Sequence, residues 1–588
     1  MPQTWRYANH DEPVIRRVAV EAKVSPLVAQ VLVARGYTQL DQINEFLHAK
    51  LTDLHEPSLL PGVNEASDKV IAALQAGCRI TIYGDYDVDG VTSTALLWHC
   101  LKQLGAKVDY YIPSRMEEGY GINCDALRQL HEEDPNRLVI SVDCGIASVT
   151  EVDLANELGL EIIITDHHRM GDRLPNTICV HPRLPETNYP FGDLCGVGVA
   201  FKLAWAICQK LGENGKATPA MRAFLIQAVG LTAIGTVADV VPLKGENRII
   251  VRFGLTSIAE RASLGLKTLI KVAKLDGDSL KADDIAFMLA PRINAAGRLG
   301  QARLAVELLT TTDPERATAL AEYLDSLNKN RQTIERRILK QAKEMVAENP
   351  DWADDPVLVL AHPDWHPGVI GIVASRIAEK FSRPTVMISL KNDDSGQGSA
   401  RSFADFDLYE GLKACSEHLI GCGGHRAAAG LRIEHDKVDA FRKAFVAYAK
   451  ANQQIDEDGE YDLRIDAEVQ LTDVKYPAVL ELERLGPFGQ ENQRPRFASA
   501  NVELVEPPKK MGEGDRHLSL RVRQFGRIMR AVAFGRGEWA DEIAAVDGPI
   551  SICYTAMINS YRGMNRVELH LIDWNAEAAA DQIAAEAG

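Results

Sequence analysis

Between residues 79 and 166 the chain alternates short apolar, β-rich runs with segments whose apolar residues recur at helical spacing. This alternation is typical of parallel β-α-β units. One helix is predicted over Val91–Leu104, because its apolar residues follow the helical period and Gly105 supplies a C-terminal stop. The pattern therefore predicts a doubly wound parallel sheet, with strands at Arg79–Tyr83, Lys107–Ile112, Leu138–Val142 and Glu161–Thr165.

The rest of the chain has other patterns. Residues 1–75 and the region from about 196 to 310 are mainly helical in spacing, and residues 313–348 form a charged stretch without Gly or Pro after Pro314, which predicts a long connecting helix. After residue 356 the α/β pattern returns, with strands near Val357–Ala361 and Pro384–Leu390 around a helix at Val369–Phe381. From Tyr461 onward, alternating runs predict a small antiparallel barrel.

These patterns predict a multi-domain α/β protein. Its predicted parts are an N-terminal helical region (1–75), an α/β domain with the doubly wound sheet (76–312), a connecting helix (313–350), a second α/β domain (351–455) and a C-terminal β-barrel (456–588). A chain of 588 residues is too long for a single hydrophobic core, which agrees with several domains.

The composition of the chain narrows the cellular compartment in which we expect the protein. The chain is 46% hydrophobic and 25% charged, and it lacks the run of about 18 apolar residues that a membrane span requires, so no membrane is expected. Its first residues lack the features of a secretory signal, and we expect a cytoplasmic protein. The ten cysteines include no C-x-x-C pair, which argues against a disulfide framework and a structural zinc site.

The net charge of −17 is unfavourable for binding nucleic acid, because Lys and Arg must neutralise the phosphates. Any nucleic-acid contact must therefore be local. The stretch Arg484–Arg536 carries eleven Lys and Arg against five Asp and Glu. It could equally be a solvated basic face.

The densest carboxylate motif follows the first strand of the sheet, where Asp85, Asp87 and Asp89 alternate ahead of Gly90. Such a concentration of negative charge predicts a bound cation. An EF-hand calcium loop would need a bidentate Glu at the position of Leu96, so that interpretation fails. A solvated turn remains an alternative for this motif alone.

Other candidate ligands follow other strands. Asp143 ends the strand Leu138–Val142, and Asp166-His167-His168 ends the strand Glu161–Thr165. Because ligand sites in open α/β sheets lie at the carboxyl ends of strands, we expect these groups to converge. Asp239 lies in an apolar run, where a carboxylate needs a cation or a basic partner. A buried ion pair is the alternative for Asp239.

The donor set indicates a reaction class. Asp and His ligands without cysteine suit Mn²⁺ or Mg²⁺. Two such ions about 3.5–4 Å apart can activate a water and stabilise both oxygens of an in-line displacement at phosphorus. The sequence therefore predicts two divalent ions and phosphoester hydrolysis.

Asp166-His167-His168, taken together with Asp87, Asp89, Asp143 and Asp239, resembles the signature of the DHH phosphoesterase superfamily. Further motifs are similar to those of the RecJ exonucleases and occur in the RecJ order over roughly residues 60–500. They are Arg292-Ile-Asn294-Ala-Ala-Gly297-Arg298, His362-Pro-x-Trp365-His366-x-Gly368, Gly398-Ser399-Ala-Arg401-Ser402 and Gly423-Gly-His425-Arg-Ala-Ala-Ala-Gly430. Each motif is modest alone, and the set is specific.

The resemblance implies roles in the first domain, the DHH domain. One metal would be held by Asp87 and Asp143, and the other by a set in which Asp143 bridges: Asp89, Asp143, His167 and Asp239. Asp166 would orient His167 from behind the ligands, and His168 would face the substrate phosphate. Asp85 is a weaker candidate ligand.

Two positions depart from the family pattern. Tyr83 stands where many relatives have a metal-binding His, so the first metal would be weakly held until DNA supplies a phosphate oxygen. Cys144 stands where Asn commonly follows the bridging Asp, which could alter local hydrogen bonding.

The second domain resembles DHHA1, and the barrel resembles an OB-fold. By that resemblance Ser399, Arg401 and His425 bind phosphates near the cut, with help from Arg298 and Asn294. Arg115 is a candidate for gripping a terminal 5′-phosphate. A structural salt bridge is the alternative for each of these residues. Phe488, Phe497 or Phe525 could stack on bases, although an aromatic residue in a small barrel is more often part of the core.

The resemblance implies a single-stranded-DNA-specific exonuclease of DNA repair and recombination, which degrades from 5′ to 3′ and releases 5′-mononucleotides. Its expected partners are single-stranded DNA, a helicase and a single-strand-binding protein, and it is expected to be a monomer. Two alternatives remain: a DHH enzyme acting on small substrates, such as an oligoribonucleotide or cyclic dinucleotide phosphodiesterase or a pyrophosphatase, and a non-catalytic DNA-binding relative.

Overall fold

The structure is a computed structural model of the chain. It describes residues 4–114, 118–119, 121–185, 187–275, 280–352, 355–391, 395–404, 406–452, 462–561 and 564–576. The chain divides into two compact units, one formed by residues 1–55, 240–253 and 458–588 and the other by residues 56–239 and 254–457.

The N-terminal segment contains one strand and three helices: β1 (Thr4–Tyr7), α1 (Glu12–Glu21), α2 (Pro26–Ala34) and α3 (Leu40–His48). The first two helices begin at conventional caps, because the side chains of Asp11 and Ser25 accept hydrogen bonds from backbone N–H groups of the first turn. Each of these two helices also has a proline in its first turn, where the missing N–H costs nothing.

The second unit begins with the doubly wound domain. Its elements are α4 (Val63–Gln75), β2 (Arg79–Tyr83), α5 (Val88–Gln103), β3 (Lys107–Tyr111), α6 (Cys124–Glu133), β4 (Leu138–Val142), α7 (Val149–Leu158), β5 (Glu161–Thr165) and β6 (Ile178–Val180). The five strands are parallel and lie in the order β3-β2-β4-β5-β6. Helices α6 and α7 pack on one face, where their apolar residues share a core with β4 and β5.

A helical layer follows, in which α8 and α9 pack against α5. The elements are α8 (Gly196–Lys210), α9 (Pro219–Ala238), α10 (Gly245–Arg261), α11 (Leu264–Val272), α12 (Ala282–Asp284), a π-helical turn (Ile285–Leu289), α13 (Ala290–Arg298), α14 (Ala302–Thr310) and α15 (Pro314–Glu348). Helix α15 is the connecting helix. It packs on α11 and α13 near its start and on the second domain near its end.

The second domain is built on a mixed sheet. Its elements are β7 (Leu358–His362), α16 (Pro367–Phe381), β8 (Thr385–Ser389), β9 (Gly396–Arg401), α17 (Leu408–Ala414), β10 (Gly421–Gly424), β11 (Ala428–Ile433) and α18 (Val438–Asn452). The strand order is β10-β11-β9-β8-β7, with only β7 and β8 parallel. One face packs on α17 and α18 and the other on α15 and α16.

The C-terminal region forms a barrel. Its elements are β12 (Asp462–Ile465), β13 (Ala467–Glu468), α19 (Tyr476–Leu482), β14 (Phe497–Leu504), β15 (Lys509–Met511), β16 (His517–Gln524), β17 (Arg527–Ala533), α20 (Trp539–Ala544), β18 (Ile550–Tyr561) and β19 (Met564–Asn575). The order β14-β18-β19-β17-β16 closes on itself, because β14 also pairs with β16.

The N-terminal helices and the barrel share one hydrophobic core, to which Ile15, Leu32 and Phe46 contribute together with Leu520 and Ile552. Strand β1 also pairs in parallel with β12. Polar contacts join the same segments. The guanidinium of Arg35 donates two hydrogen bonds to the Asp466 carboxylate, at 3.0 and 3.2 Å, and one to Asn492 Oδ1 at 3.0 Å.

Helix α9 is the one described helix that is long and apolar enough to cross a membrane by length and composition alone. Most of its apolar window is buried inside the protein, where it packs on α5 and α8. This burial is typical of a helix in the core of a folded protein, and it does not favour a membrane-spanning role for α9.

The predicted fold class is confirmed, and the predicted strands of the doubly wound sheet and the connecting helix lie within a few residues of those in the structure. Strands β1, β6, β9, β10 and β11 were not predicted. β6 has three residues and β10 is Gly421-Cys-Gly-Gly, and neither is long or apolar enough to give a strand pattern. Helix α4, which the sequence analysis groups with residues 1–75, packs instead on α8 and β6 of the DHH domain.

Replacing Arg35 with Ala is expected to destabilise the first unit by about 3 kcal/mol, because removal of one partner leaves a largely buried carboxylate uncompensated. The side chains of Arg35 and Asp466 are 16% and 9% exposed. The measurement is urea denaturation followed by circular dichroism. Lys510→Ala is the control, because its ion pair with Asp541 is largely exposed and should contribute little to stability. Equal losses for both variants would contradict this account.

Candidate metal centre

The candidate ligands lie at the carboxyl ends of the parallel strands. Asp143 directly follows β4, and its backbone has a positive φ of 62°, a conformation that Asp tolerates better than most residues. Asp87 caps the N-terminus of α5, with Oδ1 accepting from the N–H groups of Asp89 and Gly90. His167 follows β5, and Asp239 ends α9. Three strands and one helix therefore bring these side chains to one place.

Three groups of side chains in the described part of the chain have ligand atoms within 4.8 Å of one another. They are Asp85, Asp87 and Asp143; Asp89, His167 and Asp239; and Asp143, His167 and His168. The ring atom His167 Nε2 lies 3.2 Å from Asp143 Oδ1, 3.6 Å from Asp239 Oδ2 and 3.9 Å from Asp89 Oδ2. Asp143 is common to two groups, which is the arrangement that a bridging ligand requires.

Burial makes this cluster costly without a cation. Asp89 and Asp143 are almost fully buried. Among the described residues, no hydrogen-bond partner is present for Asp143 Oδ1, His167 Nε2 or Asp239 Oδ2, although all three atoms are buried. Carboxylate oxygens and one neutral imidazole, without thiolate, form a donor set that fits Mn²⁺ or Mg²⁺.

The pKa shifts of the candidate ligands also arise first from the burial of this cluster. Burial, and then repulsion from neighbouring aspartates, raises the pKa of Asp89 to about 7 and that of Asp239 to about 8. The same two causes raise the pKa of Asp143 well above its usual range. Burial, and then the nearby charge of His168, lowers the pKa of His167 to about 3, which leaves the ring neutral and able to act as a ligand. Divalent cations would reverse the shifts of the carboxylates, because they stabilise the ionised form.

The N-terminus of α8 also supports the site, and the sequence analysis missed it. The backbone N–H groups of Gly196 and Val197 donate to Asp89 Oδ2 and Oδ1 at 2.6 and 2.8 Å. A Cβ atom on Gly196 would lie 2.4 Å from Asp143 Oδ1, and one on Gly235 would lie 2.6 Å from Asp89 Oδ1. Helix α8 at Gly196 and helix α9 at Gly235 therefore need glycine where they pass the carboxylates. The sequence feature that could have indicated this contact is the pair of glycines at the start of the apolar run that forms α8.

Asp166 organises the loop after β5. Its Oδ1 accepts from the backbone N–H groups of His167 and His168 at 2.7 and 3.1 Å and contacts Nδ1 of His168 at 2.8 Å, while Oδ2 accepts from Ile146 N–H at 2.9 Å. The resemblance implied that Asp166 orients His167, but its ring partner is His168. The difference arises because the His167 ring is turned toward the aspartates, which leaves the His168 ring as the one that the Asp166 carboxylate contacts.

The Asp166–His168 contact changes both pKa values. Burial would favour the neutral acid, but the hydrogen bonds and charge of His168 outweigh it and lower the pKa of Asp166 to about 2. Burial also disfavours a charged imidazole, but Asp166 outweighs it and raises the pKa of His168 to about 9. The Asp166 carboxylate therefore favours the protonated form of the His168 ring.

Tyr83 and Cys144 lie in the hydrophobic core beneath the site. The Tyr83 hydroxyl donates to the Gly121 carbonyl at 3.3 Å, and the Cys144 thiol is 4.0 Å from the Tyr83 carbonyl. Burial raises the pKa of the Cys144 thiol well above its usual range. These two residues therefore contribute packing to the site.

Helix α13 connects the aspartate loop to the second domain. The Asn294 Oδ1 atom accepts from the N–H of Val88 at 3.2 Å, so its described contact is with the loop. The guanidinium of Arg298 donates to the Gly368 carbonyl, at the start of α16, at 3.2 Å. Asn294 therefore joins α13 to the aspartate loop, and Arg298 joins α13 to α16 of the second domain.

The phosphate-binding candidates of the second domain lie on neighbouring strands. Arg401 Nη1 donates to Ser399 Oγ at 3.1 Å, which holds the two side chains of β9 together. His425 lies in the exposed hairpin between β10 and β11. Arg115 lies outside the described residues.

The barrel has a basic face. Arg521 in β16 lies directly opposite Arg530 in β17, and both line a cavity of about 620 Å³ together with Arg527 and Arg566. Like charges at opposed strand positions are destabilising, which favours an anionic ligand here. Arg530 pairs with Glu568 at 3.0 Å, whereas the guanidinium of Arg527 has no hydrogen bond or ion pair to any residue that the structure describes.

The structure separates the three candidate stacking residues. Phe488 and Phe497 are only 6% and 1% exposed and belong to the shared core. Phe525 is 73% exposed, in the turn between β16 and β17, with a φ of +46°. A positive φ is unfavourable for a bulky residue, and a strained, exposed aromatic residue is a candidate for function.

Three family models match the chain: the N-terminal domain of the DHH family at residues 79–235, the DHHA1 domain at residues 354–451 and the RecJ OB domain at residues 465–573. The single-stranded-DNA-specific exonuclease RecJ of Bacillus subtilis (strain 168) is 37% identical, over 97% of this chain and 70% of the relative. The protein of the same name from Escherichia coli (strain K12) is 33% identical, over 93% of this chain and 95% of the relative.

A solved structure is similar over nearly the whole chain. The crystal structure of RecJ from Thermus thermophilus in complex with Mn²⁺ has a TM-score of 0.82 at 32% sequence identity, covering 98% of this chain and 80% of that chain. The structure of the same relative with Mg²⁺ has a TM-score of 0.76. With this identity, this coverage and three matching domains in one order, the chain belongs to the RecJ family of single-stranded-DNA-specific exonucleases.

Proposed function

We propose that this chain degrades single-stranded DNA from its 5′ end and releases 5′-mononucleotides by metal-dependent hydrolysis. The observation that carries the proposal is the buried cluster of aspartates around His167, at the strand ends of a DHH domain. The chain retains every carboxylate that the family pattern requires, which disfavours a non-catalytic relative. The OB domain favours a polymeric substrate over a dinucleotide or pyrophosphate.

The ligand set divides between two Mn²⁺ or Mg²⁺ ions. Asp87 and Asp143 would hold one, with Asp85 as a weaker candidate, and Asp89, Asp143, His167 and Asp239 would hold the other. The ions supply an activated water and charge stabilisation on both sides of the phosphorus. His168, which Asp166 keeps charged, binds a phosphate oxygen and can supply a proton there.

Substrate contacts extend from the DHH domain into the DHHA1 domain. Ser399, Arg401 and His425 bind the phosphates near the cut, and Arg115 grips the terminal 5′-phosphate. Asn294 and Arg298 hold the cleft edge through their contacts with Val88 and Gly368. These contacts recognise the backbone, so cleavage would not depend on base sequence.

The basic face of the barrel binds the strand outside the catalytic domain. Arg521 and Arg527 contact phosphates, and Phe525 stacks on a base. This local face accounts for nucleic-acid binding by a chain whose net charge is −17. We further propose that the protein is a cytoplasmic monomer that acts in DNA repair and recombination with a helicase and a single-strand-binding protein.

End-labelled substrates test the polarity. We expect rapid digestion of a 5′ overhang and none from a 3′ overhang. A blunt end must first unpair, and four steps at about 1.4 kcal/mol each cost roughly 5–6 kcal/mol, a suppression on the order of ten-thousandfold. Mononucleotide release is followed by gel electrophoresis of matched duplexes. Digestion of blunt and 5′-tailed DNA at equal rates would show that single-stranded entry is not required.

Asp143→Asn is expected to reduce hydrolysis by more than about a hundredfold, since loss of a group merely supporting a ligand already costs 10–100-fold. Asn tolerates the positive φ of this position, so the fold should survive. Binding of single strands should change little. The variant should also lose most of the thermal stabilisation that Mn²⁺ gives the parent, which is about 2.7 kcal/mol at a hundredfold excess over Kd.

Asp125→Asn is the matched control for this substitution, because Asp125 is an exposed carboxylate on α6 of the same domain. It should retain hydrolysis and the response to Mn²⁺. Parent-like hydrolysis by the Asp143 variant would disprove the bridging role.

The double variant Arg521→Ala, Arg527→Ala should bind single strands with a shallower salt dependence. Each lost phosphate contact reduces the slope of log K against log salt by about 0.7. Phe525→Ala should instead weaken binding by about 1–3 kcal/mol without a change in slope, because stacking releases no counterions. Binding is measured by fluorescence anisotropy, with Arg128→Ala on α6 as control. An unchanged slope in the double variant would exclude this face as the binding site.

A further inference from the structure

The His181 side chain lies at the end of β6, next to the loop that carries His167 and His168, and no family motif quoted above includes it. It is 1% exposed. Its Nδ1 atom accepts a hydrogen bond from the backbone N–H of Arg183 at 3.0 Å, and its Nε2 atom lies 2.8 Å from the backbone carbonyl oxygen of His168. Both ring nitrogens are therefore engaged, and the ring is not available as a metal ligand.

These two contacts fix the tautomer of His181. A ring nitrogen that accepts from a backbone N–H carries no proton, so Nδ1 is unprotonated. The proton of a neutral ring must then lie on Nε2, which donates to the His168 carbonyl. The Arg183 N–H thus determines which end of the His181 ring is the donor.

His168 is held at two points, which together form a clamp: its ring and backbone N–H at one point, and its backbone carbonyl at the other. Asp166 already holds the ring of His168 at 2.8 Å and its backbone N–H at 3.1 Å. The backbone N–H of Asp166 is in turn bound to the Val180 carbonyl of β6 at 3.1 Å. The His181 contact adds a side-chain hydrogen bond to the carbonyl side of His168.

We propose that His181 is a positioning residue for the reaction: by donating from Nε2 to the His168 carbonyl, it holds the His168 ring at the substrate phosphate. The role rests on the proposed function, in which His168 contacts that phosphate. Displacement of a catalytic group by about 1 Å can cost on the order of a hundredfold in rate, so this clamp matters even though His181 does not touch the substrate.

Two substitutions separate the two hydrogen bonds of His181. The amide nitrogen of Gln reaches about as far as Nε2, so His181→Gln can still donate to the His168 carbonyl. The shorter Asn places its amide near Nδ1, so His181→Asn can still accept from Arg183 but cannot reach His168. His181→Ala removes both contacts. Rescue by Gln and not by Asn would therefore identify the bond to His168 as the important one.

Single-turnover and steady-state hydrolysis of a 5′-labelled single strand provide the main measurement. We expect His181→Ala and His181→Asn to lower kcat by about 10–100-fold with KM changed less than about threefold, because His168 acts on the reacting phosphate while binding is spread over many contacts. His181→Gln should recover most of kcat. Thermal stabilisation by Mn²⁺ should stay near the parental value in all three variants, since the hydrogen bonds of His181 go to backbone atoms and not to the proposed ligand side chains.

His99 provides a matched control, because it is also a histidine of the DHH domain whose Nε2 lies 2.9 Å from a backbone carbonyl, that of Leu309. His99→Ala should lower the melting temperature and leave kcat unchanged. Long-range ¹H–¹⁵N spectra of histidine-labelled parent protein should show the Nε2-protonated form for His181.

Three results would overturn the proposal: an unchanged kcat in folded His181→Ala, equal rescue by Asn and Gln, or an Nδ1-protonated His181. A loss of kcat in His99→Ala equal to that in His181→Ala would also overturn it, because the effect would then reflect stability. Failure of the proposed function is distinguishable, since the parent protein itself would not hydrolyse single strands.

Discussion

Mutual repulsion among buried carboxylates is the constraint on which the catalytic unit depends. Asp89, Asp143 and Asp239 all have pKa values raised by burial and by one another. Such a cluster is stable in ionised form only where positive charge is supplied. The fold supplies part of it through the N-terminus of α8, whose first N–H groups are bound to Asp89 and whose helix dipole favours negative charge. Divalent cations supply the rest.

This constraint shapes the surrounding packing. Carboxylates can approach a helix closely only where the helix has no side chain in the way, and Gly196 at the start of α8 and Gly235 in the last turn of α9 provide that space. On the other side, Asp166 draws His168 into a charged pair, while His167 stays neutral and faces the aspartates. The pKa values of these two adjacent histidines shift in opposite directions because the ring of only one of them contacts the Asp166 carboxylate.

Charge is also divided between the two units. The acidic cluster lies in the unit of residues 56–239 and 254–457, whereas the arginine-lined face lies in the unit that contains the barrel. A negative total charge is therefore compatible with DNA binding, because phosphates respond to the local field within about a Debye length of roughly 8–10 Å. The exposed, strained Phe525 lies beside the arginines of this face, where a stacking contact would add affinity without any requirement for base identity.

The sequence by itself determined the parts that depend on local pattern. Strands β2 to β5 and helix α15 were predicted from apolar spacing, and Asp87, Asp143 and His167 from their positions after strands, because parallel strands end at one edge of a sheet. Only the tertiary structure decided which ring Asp166 contacts, that α8 caps the cluster, that Phe488 and Phe497 are core, and that His181 reaches the His168 carbonyl. Most of these features join residues far apart in the chain or depend on burial, and the choice between the two rings next to Asp166 depends on how each side chain is turned. Periodicity along the sequence carries no information about any of these.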